Sequence, residues 1–212
     1  MRQVGFVTLV LFSFAVAVYA VAIYGFQPLG IALAPEMREK FVAHRIVVYA
    51  HIFAAAMTLI IGPFQFSTRL RKRHTALHRW SGRLYLGIGV VIGGAAGFYM
   101  ALIAEGGLVA KLGFAMLALA WLLTGFKAWR AIRARNLTAH RHWMIRNYAL
   151  TFAAVTLRLW LPAGLLAGIP YALVYPAVAW LSWLPNLLVA EIWFNQAGRT
   201  ADRHPVMSAT KL

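Results

Sequence analysis

Residues 45–83 read RIVVYAHIFAAAMTLIIGPFQFSTRLRKRHTALHRWSGR. The first half is an almost uninterrupted apolar run, of the length at which a helix of about 20 residues crosses roughly 30 Å of hydrocarbon. From Ser67 on the character inverts: Arg69, Arg71, Lys72, Arg73, Arg79 and Arg83 follow with no acidic residue among them. An apolar helix that ends in a cationic loop is a membrane span leaving the bilayer. Working outward, the same alternation recurs, with apolar stretches at 4–26, 45–66, 83–104, 111–129, 146–167 and 172–195. Of the 212 residues, 62% are apolar and 12% charged, whereas a soluble domain has roughly half its residues apolar and a quarter charged. The fold class that follows is all-α, an integral membrane bundle of six transmembrane helices. Residues 1–198 form its single domain, and residues 199–212 are a polar, disordered tail.

The formal charge of +16 raises nucleic acid as a partner, and its distribution excludes it. A second loop carries Lys127, Arg130, Arg133, Arg135, Arg141 and Arg146; with Arg2 and the tail residues Arg199, Arg203 and Lys211, sixteen of the 21 Lys and Arg fall on one side. The other side holds Arg38, Lys40, Arg45 and Lys111, nearly balanced by Glu36, Glu39 and Glu105. Loops of alternating charge are the positive-inside pattern, which puts both termini in the cytoplasm. Attraction of the basic loops to anionic lipid headgroups accounts for the charge. With no cysteine, disulfides, thiolate-bound metals and covalently attached haem are excluded. Met1-Arg2 before an apolar run and Ala20-Val21-Ala22 resembles a signal peptide, but the run continues to Phe26, long for one. An uncleaved first span is therefore expected.

The loop 27–44 is broken by Pro28, Gly30 and Pro35, Glu105-Gly106-Gly107 makes a tight hairpin, and the stretch Pro162–Pro176 reads as an interfacial loop. At an offset of 62, Phe64, Arg71, Arg73, His78 and Arg79 match Phe126, Arg133, Arg135, His140 and Arg141. Spans two-three and four-five then read as parallel repeats about an axis along the membrane normal, which sets His78 opposite His140 at equal depth.

These two histidines are the candidate axial ligands of a b-type haem, the metal site of the chain, beside a face of the third span opened by Gly89, Gly93 and Gly97. Arg79, Arg83, Arg141 and Arg146 would neutralise its propionates. The competing reading has the histidines capping helices or meeting headgroup phosphates. His51 lies about 8–10 Å inside the second span, where a polar ring needs a partner. It is a candidate cofactor contact and a possible point of quinone exchange; His44 and His51, completed by Glu36 and Glu39, suggest a weaker metal site. Arg158, within the fifth span, must face the bundle, as a clamp toward Asn186, an anion contact or a transport gate; by depth, Glu191 lies level with Arg146. Gln65 is expected to satisfy backbone groups freed at Pro63. Tyr85, Tyr148, Trp80, Trp129 and Trp143 read as an aromatic belt.

His51, Gly62-Pro63-Phe64-Gln65-Phe66, His78-Arg79-Trp80-Ser81-Gly82-Arg83-Leu84-Tyr85 and His140-Arg141-His142-Trp143-Met144-Ile145-Arg146 occur in that order, followed by 148–158, which end in Arg158. Over residues 44–195 this resembles a bacterial family of predicted multi-pass membrane proteins of unknown function. The resemblance implies a bacterial inner-membrane location. His51, Gln65, His78, Arg83, His140, Arg146 and Arg158 match its motif positions, and His142 does not. The helix-borne histidines are also similar in outline to di-haem b-type cytochromes, although the fourth span lacks a histidine. Two functions are therefore carried forward: a b-type haem or redox module, and a cofactor-free accessory or small-solute transport protein. A transporter requires a wet cavity lined by Arg158, Asn186 and His51.

Overall fold

The computed structural model describes residues 3–29 and 35–203, and among these no strand occurs. Six helices are long and apolar enough to span a membrane: Gly5–Phe26, Arg45–Gln65, Thr75–Leu102, Gly107–Arg133, Leu137–Leu166 and Tyr171–Ile192. They are the six expected spans. The third and fifth begin at Thr75 and Leu137 rather than at 83 and 146. Their first turns are two-sided, so hydropathy alone passes over them: Leu77, Trp80 and Leu84 alternate there with His78, Arg79 and Arg83. The backbone of the last helix continues to Arg203, and the rest of the expected tail, His204 and Lys211 included, lies outside the described residues.

Local chemistry sets the ends. Ser67 Oγ accepts from Leu70 N at 3.2 Å to start the short basic helix Thr68–Arg73, and Asn136 Oδ1 accepts from Ala139 N at 2.9 Å to start the fifth span. The hairpin between the third and fourth spans turns on Gly106 and Gly107, with φ of 81° and 68°, a region in which Cβ would be strained. Pro162 and Pro176 lie inside helices, and the expected interfacial loop shrinks to the turn between Leu166 and Tyr171.

Spans two, three, four and five form a ring in which each touches the next and the fifth returns to the second. The first span covers the seam between the second and fifth, and the sixth packs on the fourth and fifth. Span starts at Arg45 and Gly107, and at Thr75 and Leu137, are separated by the same 62 residues that separate Tyr85 from its hydrogen-bond partner Asn147. The third span is π-helical from Tyr85 to Ile92. Its glycine face is filled by the second span: Thr58 lies against Gly89, Ala54 against Gly93 and His51 against Gly97.

The ring closes on a buried polar knot. Tyr85 Oη donates to Asn147 Oδ1 at 2.9 Å and meets Thr151 Oγ1 at 2.8 Å, across the diagonal between the third and fifth spans. Trp121 Nε1 donates to Thr151 Oγ1 at 2.9 Å, and Asn147 Nδ2 donates to the Trp121 carbonyl at 2.8 Å and to Thr124 Oγ1 at 2.9 Å. Tyr85 and Asn147 are both 0% exposed. Tyr148 is buried as well, its hydroxyl 2.7 Å from Ser13 Oγ of the first span. Tyr85 and Tyr148 are thus core residues and not the interfacial belt expected of them; Trp80 and Trp129 are exposed, as a belt requires. Gln65 likewise turns away from its own backbone and donates to Ser81 Oγ of the third span at 2.8 Å.

Interhelical hydrogen bonds in membranes contribute about 0.6–2 kcal/mol each, and a buried polar group left unpaired costs about 1–3 kcal/mol. Asn147→Leu leaves Tyr85 Oη, Thr124 Oγ1 and the Trp121 carbonyl each short of a partner, so it should destabilise the fold more than Tyr85→Phe. Titration of the detergent-solubilised protein with dodecyl sulfate, followed by circular dichroism, reads the order; equal stability of wild type and Asn147→Leu would contradict it.

Candidate functional site

The knot divides the bundle into two ends, and the candidate residues fall on both. At the basic end His78 and His140 each lie three residues into a span, one helical turn from its start, and both are half-buried. They stand on diagonally opposed helices within electrostatic range of one another. Their hydrogen bonding differs. His140 Nδ1 lies 2.9 Å from the Ala128 carbonyl; because a carbonyl only accepts, Nδ1 carries the proton and Nε2 of the neutral ring is bare. His78 Nδ1 is sealed from its surroundings with no partner among the described residues. The carbonyl at the matching place, 62 residues before Ala128, belongs to Phe66, where the second span closes in a tight turn: Phe66 N donates to the Pro63 carbonyl and Ser67 N to that of Phe64. Pro63 ends that helix early, whereas the fourth span runs on to Arg133.

Around these rings the cations are open. Arg69, Arg71, Lys72, Arg73, Arg79 and Arg83 are exposed, as are Lys127, Arg130, Arg133, Arg135 and Arg141. Arg83 lies over the Trp80 ring at 4.7 Å and Lys127 over Trp143 at 4.4 Å. Arg146 differs from them: Nε donates to Glu191 Oε1 at 2.5 Å and Nη2 to Oε2 at 2.7 Å, with the Trp143 and Phe194 rings 4.7 and 4.8 Å away. That fork ties the fifth span to the sixth, as depth along the helices required, and it removes Arg146 from the set able to meet an external anion. His142 is exposed, its ring 4.5 Å from that of Phe194.

Toward the other end His51 Nδ1 meets the Gly93 carbonyl at 2.8 Å, in the space that a Cβ on Gly97 would occupy. His44 Nδ1 meets Tyr99 Oη at 3.0 Å, so the two histidines serve separate helix contacts. Among the described residues no group of three His, Asp or Glu is arranged to hold a metal ion. Lys40 pairs with Glu105, joining the short helix Pro35–Ala43 to the hairpin. Arg158 is half-buried and turned to the first span: Nη1 donates to the Ala154 carbonyl at 2.9 Å, and the Tyr19 ring lies 5.9 Å away. Its expected mate Asn186 instead donates to Thr156 Oγ1, at 3.1 Å, and to the carbonyls of Ser182 and Ala149. The three residues of the supposed transport path, Arg158, Asn186 and His51, therefore make separate contacts.

The haem expectation can be set against this geometry. His140 has the arrangement of a ligand, its far nitrogen bound to a carbonyl and the near one bare. His78 lacks that support. Two turns below the pair, Tyr85 and Asn147 close the diagonal that a porphyrin would enter, and the glycine face is occupied by the second span. Two open hollows of the surface lie at the opposite end, along Val42–Val47 and beside Pro28, Arg38 and Tyr49. Sequence reasoning missed the Tyr85, Asn147, Thr151, Trp121 and Thr124 knot. A usable signal existed: Tyr85 and Asn147 each follow a paired histidine by seven residues, two helical turns along the same face.

No curated protein and no solved structure matches the chain. A family model described as a predicted membrane protein, DUF2306, matches residues 48–194, a segment that begins within the second span and ends beyond the sixth. It includes His51, His78, His140, Arg158 and Glu191, and by that match the chain belongs to the DUF2306 family of predicted membrane proteins.

Proposed function

We propose that the protein is a cofactor-free helical module of the bacterial inner membrane that docks anionic phosphate headgroups on its basic, cytoplasmic end, with His78 and His140 at the centre of that surface. One observation carries the reading: exposed Arg and Lys crowd the loops on either side of both histidines, and the ion pairs among the described residues, Lys40–Glu105 and Arg146–Glu191, neutralise none of them. Counter-charge has to come from outside the chain. Each such cation near an anionic leaflet contributes about 1 kcal/mol of attraction, screened by salt. A filled core below the surface supports an accessory role over conduction. The 62-residue spacing supports two parallel copies, spans two-three and four-five, that place one His-Arg pair each at this end.

A second reading rests on His140, whose bare Nε2 is poised as a ligand; it is the b-type haem module, with electron exchange to quinone on the His51 side.

The absence of native cysteine allows orientation to be read directly. In intact cells a membrane-impermeant maleimide should label Leu108→Cys, at an exposed position beside the hairpin, and leave Ala134→Cys unlabelled; the reverse pattern inverts the topology. In nanodiscs at low salt, replacing phosphatidylcholine by phosphatidylglycerol should raise the unfolding midpoint; 1 M NaCl should remove most of the increase, and the double change Arg79→Gln, Arg141→Gln a smaller part of it. An increase that survives 1 M NaCl would sink the headgroup reading. Spectra of the oxidised and dithionite-reduced protein, expressed with haem supplied, should lack a Soret band. A band abolished by His140→Ala and kept by His142→Ala would replace the cofactor-free reading with the haem module.

A further inference from the structure

Arg158 stands apart from the other cations among the described residues. It lies eight residues before Leu166, about 12 Å by helical rise from the nearer end of its span. An arginine near a helix end ordinarily extends toward the closer interface. This one does the opposite: its Nη1 donates to the Ala154 carbonyl at 2.9 Å, one turn back toward the helix N-terminus, which carries the guanidinium deeper. There it faces the first span, 5.9 Å from the Tyr19 ring, with Tyr24 and His51 within electrostatic range. Among the described residues no carboxylate pairs with it. A guanidinium has five N–H donors, and those not given to Ala154 are not sealed in the core. Tyr19 and Tyr24 both belong to the first span, so these donors lie at the seam between the first and fifth spans, about 12 Å from the nearer helix end.

We infer that this seam binds a single-chain anionic amphiphile, a free fatty acid or a molecule of like chemistry. Its carboxylate accepts from Arg158 and from the Tyr24 hydroxyl, and its tail lies along the first span. A carboxylate supplies both the acceptor oxygens and the negative charge that the site lacks; a quinone carbonyl shares the hydrogen bond and not the charge. The tail needs an apolar wall, and the first span offers Val18 and Leu11, both exposed. This site is separate from the basic end and does not depend on the headgroup reading.

The test uses the intact chain in dodecyl maltoside at pH 8, with unfolding followed by tryptophan fluorescence. Oleate should raise the unfolding midpoint by about 5 °C at saturation, and methyl oleate, which has the tail without the charge, should leave it unmoved. Arg158→Gln should weaken oleate binding about tenfold or more, Arg158→Lys less, and Tyr24→Phe a few-fold; the Arg79→Gln, Arg141→Gln protein should keep the full response. If Arg158→Gln fails to fold, the contrast between oleate and its methyl ester on the unaltered chain still decides. No shift with oleate, an equal shift with methyl oleate, loss of the response in the basic-end variant, or stabilisation by decylubiquinone alone would each overturn the inference.

Discussion

Inside hydrocarbon no water waits to satisfy a stray donor or acceptor, so each polar group carried into the bundle has to find its partner within the protein. The centre of this bundle is organised by that requirement. Asn147 uses both ends of its amide, giving Nδ2 to the Trp121 carbonyl and Thr124 and receiving Tyr85 Oη on Oδ1. Thr151 receives Trp121 Nε1 and lies against Tyr85 Oη. Three spans are held by five side chains, and Tyr148 adds the first span through Ser13. An apolar interface in a membrane gains little from excluding lipid, since the tails are as apolar as leucine. Directional bonds of this kind, together with the close fit of Tyr148, Thr58 and His51 against Gly62, Gly89 and Gly97, supply the specificity that hydrophobic burial supplies in water.

The same constraint explains what was legible in the sequence. The six spans were, because crossing the bilayer demands a length and a composition that few other segments have. The ends of the third and fifth were not. At the headgroup level a helix is free to carry His78, Arg79 and Arg83 on one face, and hydropathy averages them into a loop. The central knot was illegible for a related reason. Tyr, Trp, Thr and Asn near a predicted boundary have two destinations, the interfacial belt and the core, and single-residue chemistry does not separate them. Trp80 is exposed and Tyr85 buried, five residues apart on one helix. Depth counting along antiparallel helices did better, pairing Arg146 with Glu191. It failed to place Arg158, whose partner helix is set by rotation about the axis and not by level.

Rotation also separates five of the seven histidines, which composition treats alike. His51 and His140 each direct Nδ1 to a backbone carbonyl, His44 shares a bond with Tyr99, and His142 packs on Phe194. His78 has the place of His140 in the neighbouring helix pair without its carbonyl, because Pro63 ends the second span before the backbone reaches it. A symmetric pair in the sequence thus becomes an asymmetric pair in space. A site that needs two equivalent ligands is poorly served by it.

Folding leaves some groups unfinished, and these localise the function better than the finished ones do. Glu191 satisfies Arg146, Glu105 satisfies Lys40, and neither pair asks for anything from outside. The exposed cations around His78 and His140 lack protein counter-ions by number, since the chain has 21 Lys and Arg against 5 Asp and Glu. Arg158 lacks one by position, held deep on the first span by a bond that points it away from the nearer surface. Under the proposed headgroup docking, an anionic leaflet meets the first deficit and salt weakens it. Under the proposed amphiphile site, the second is filled only by molecules that partition into the bilayer. Two deficits of the same sign would then select ligands by solubility before any contact is made.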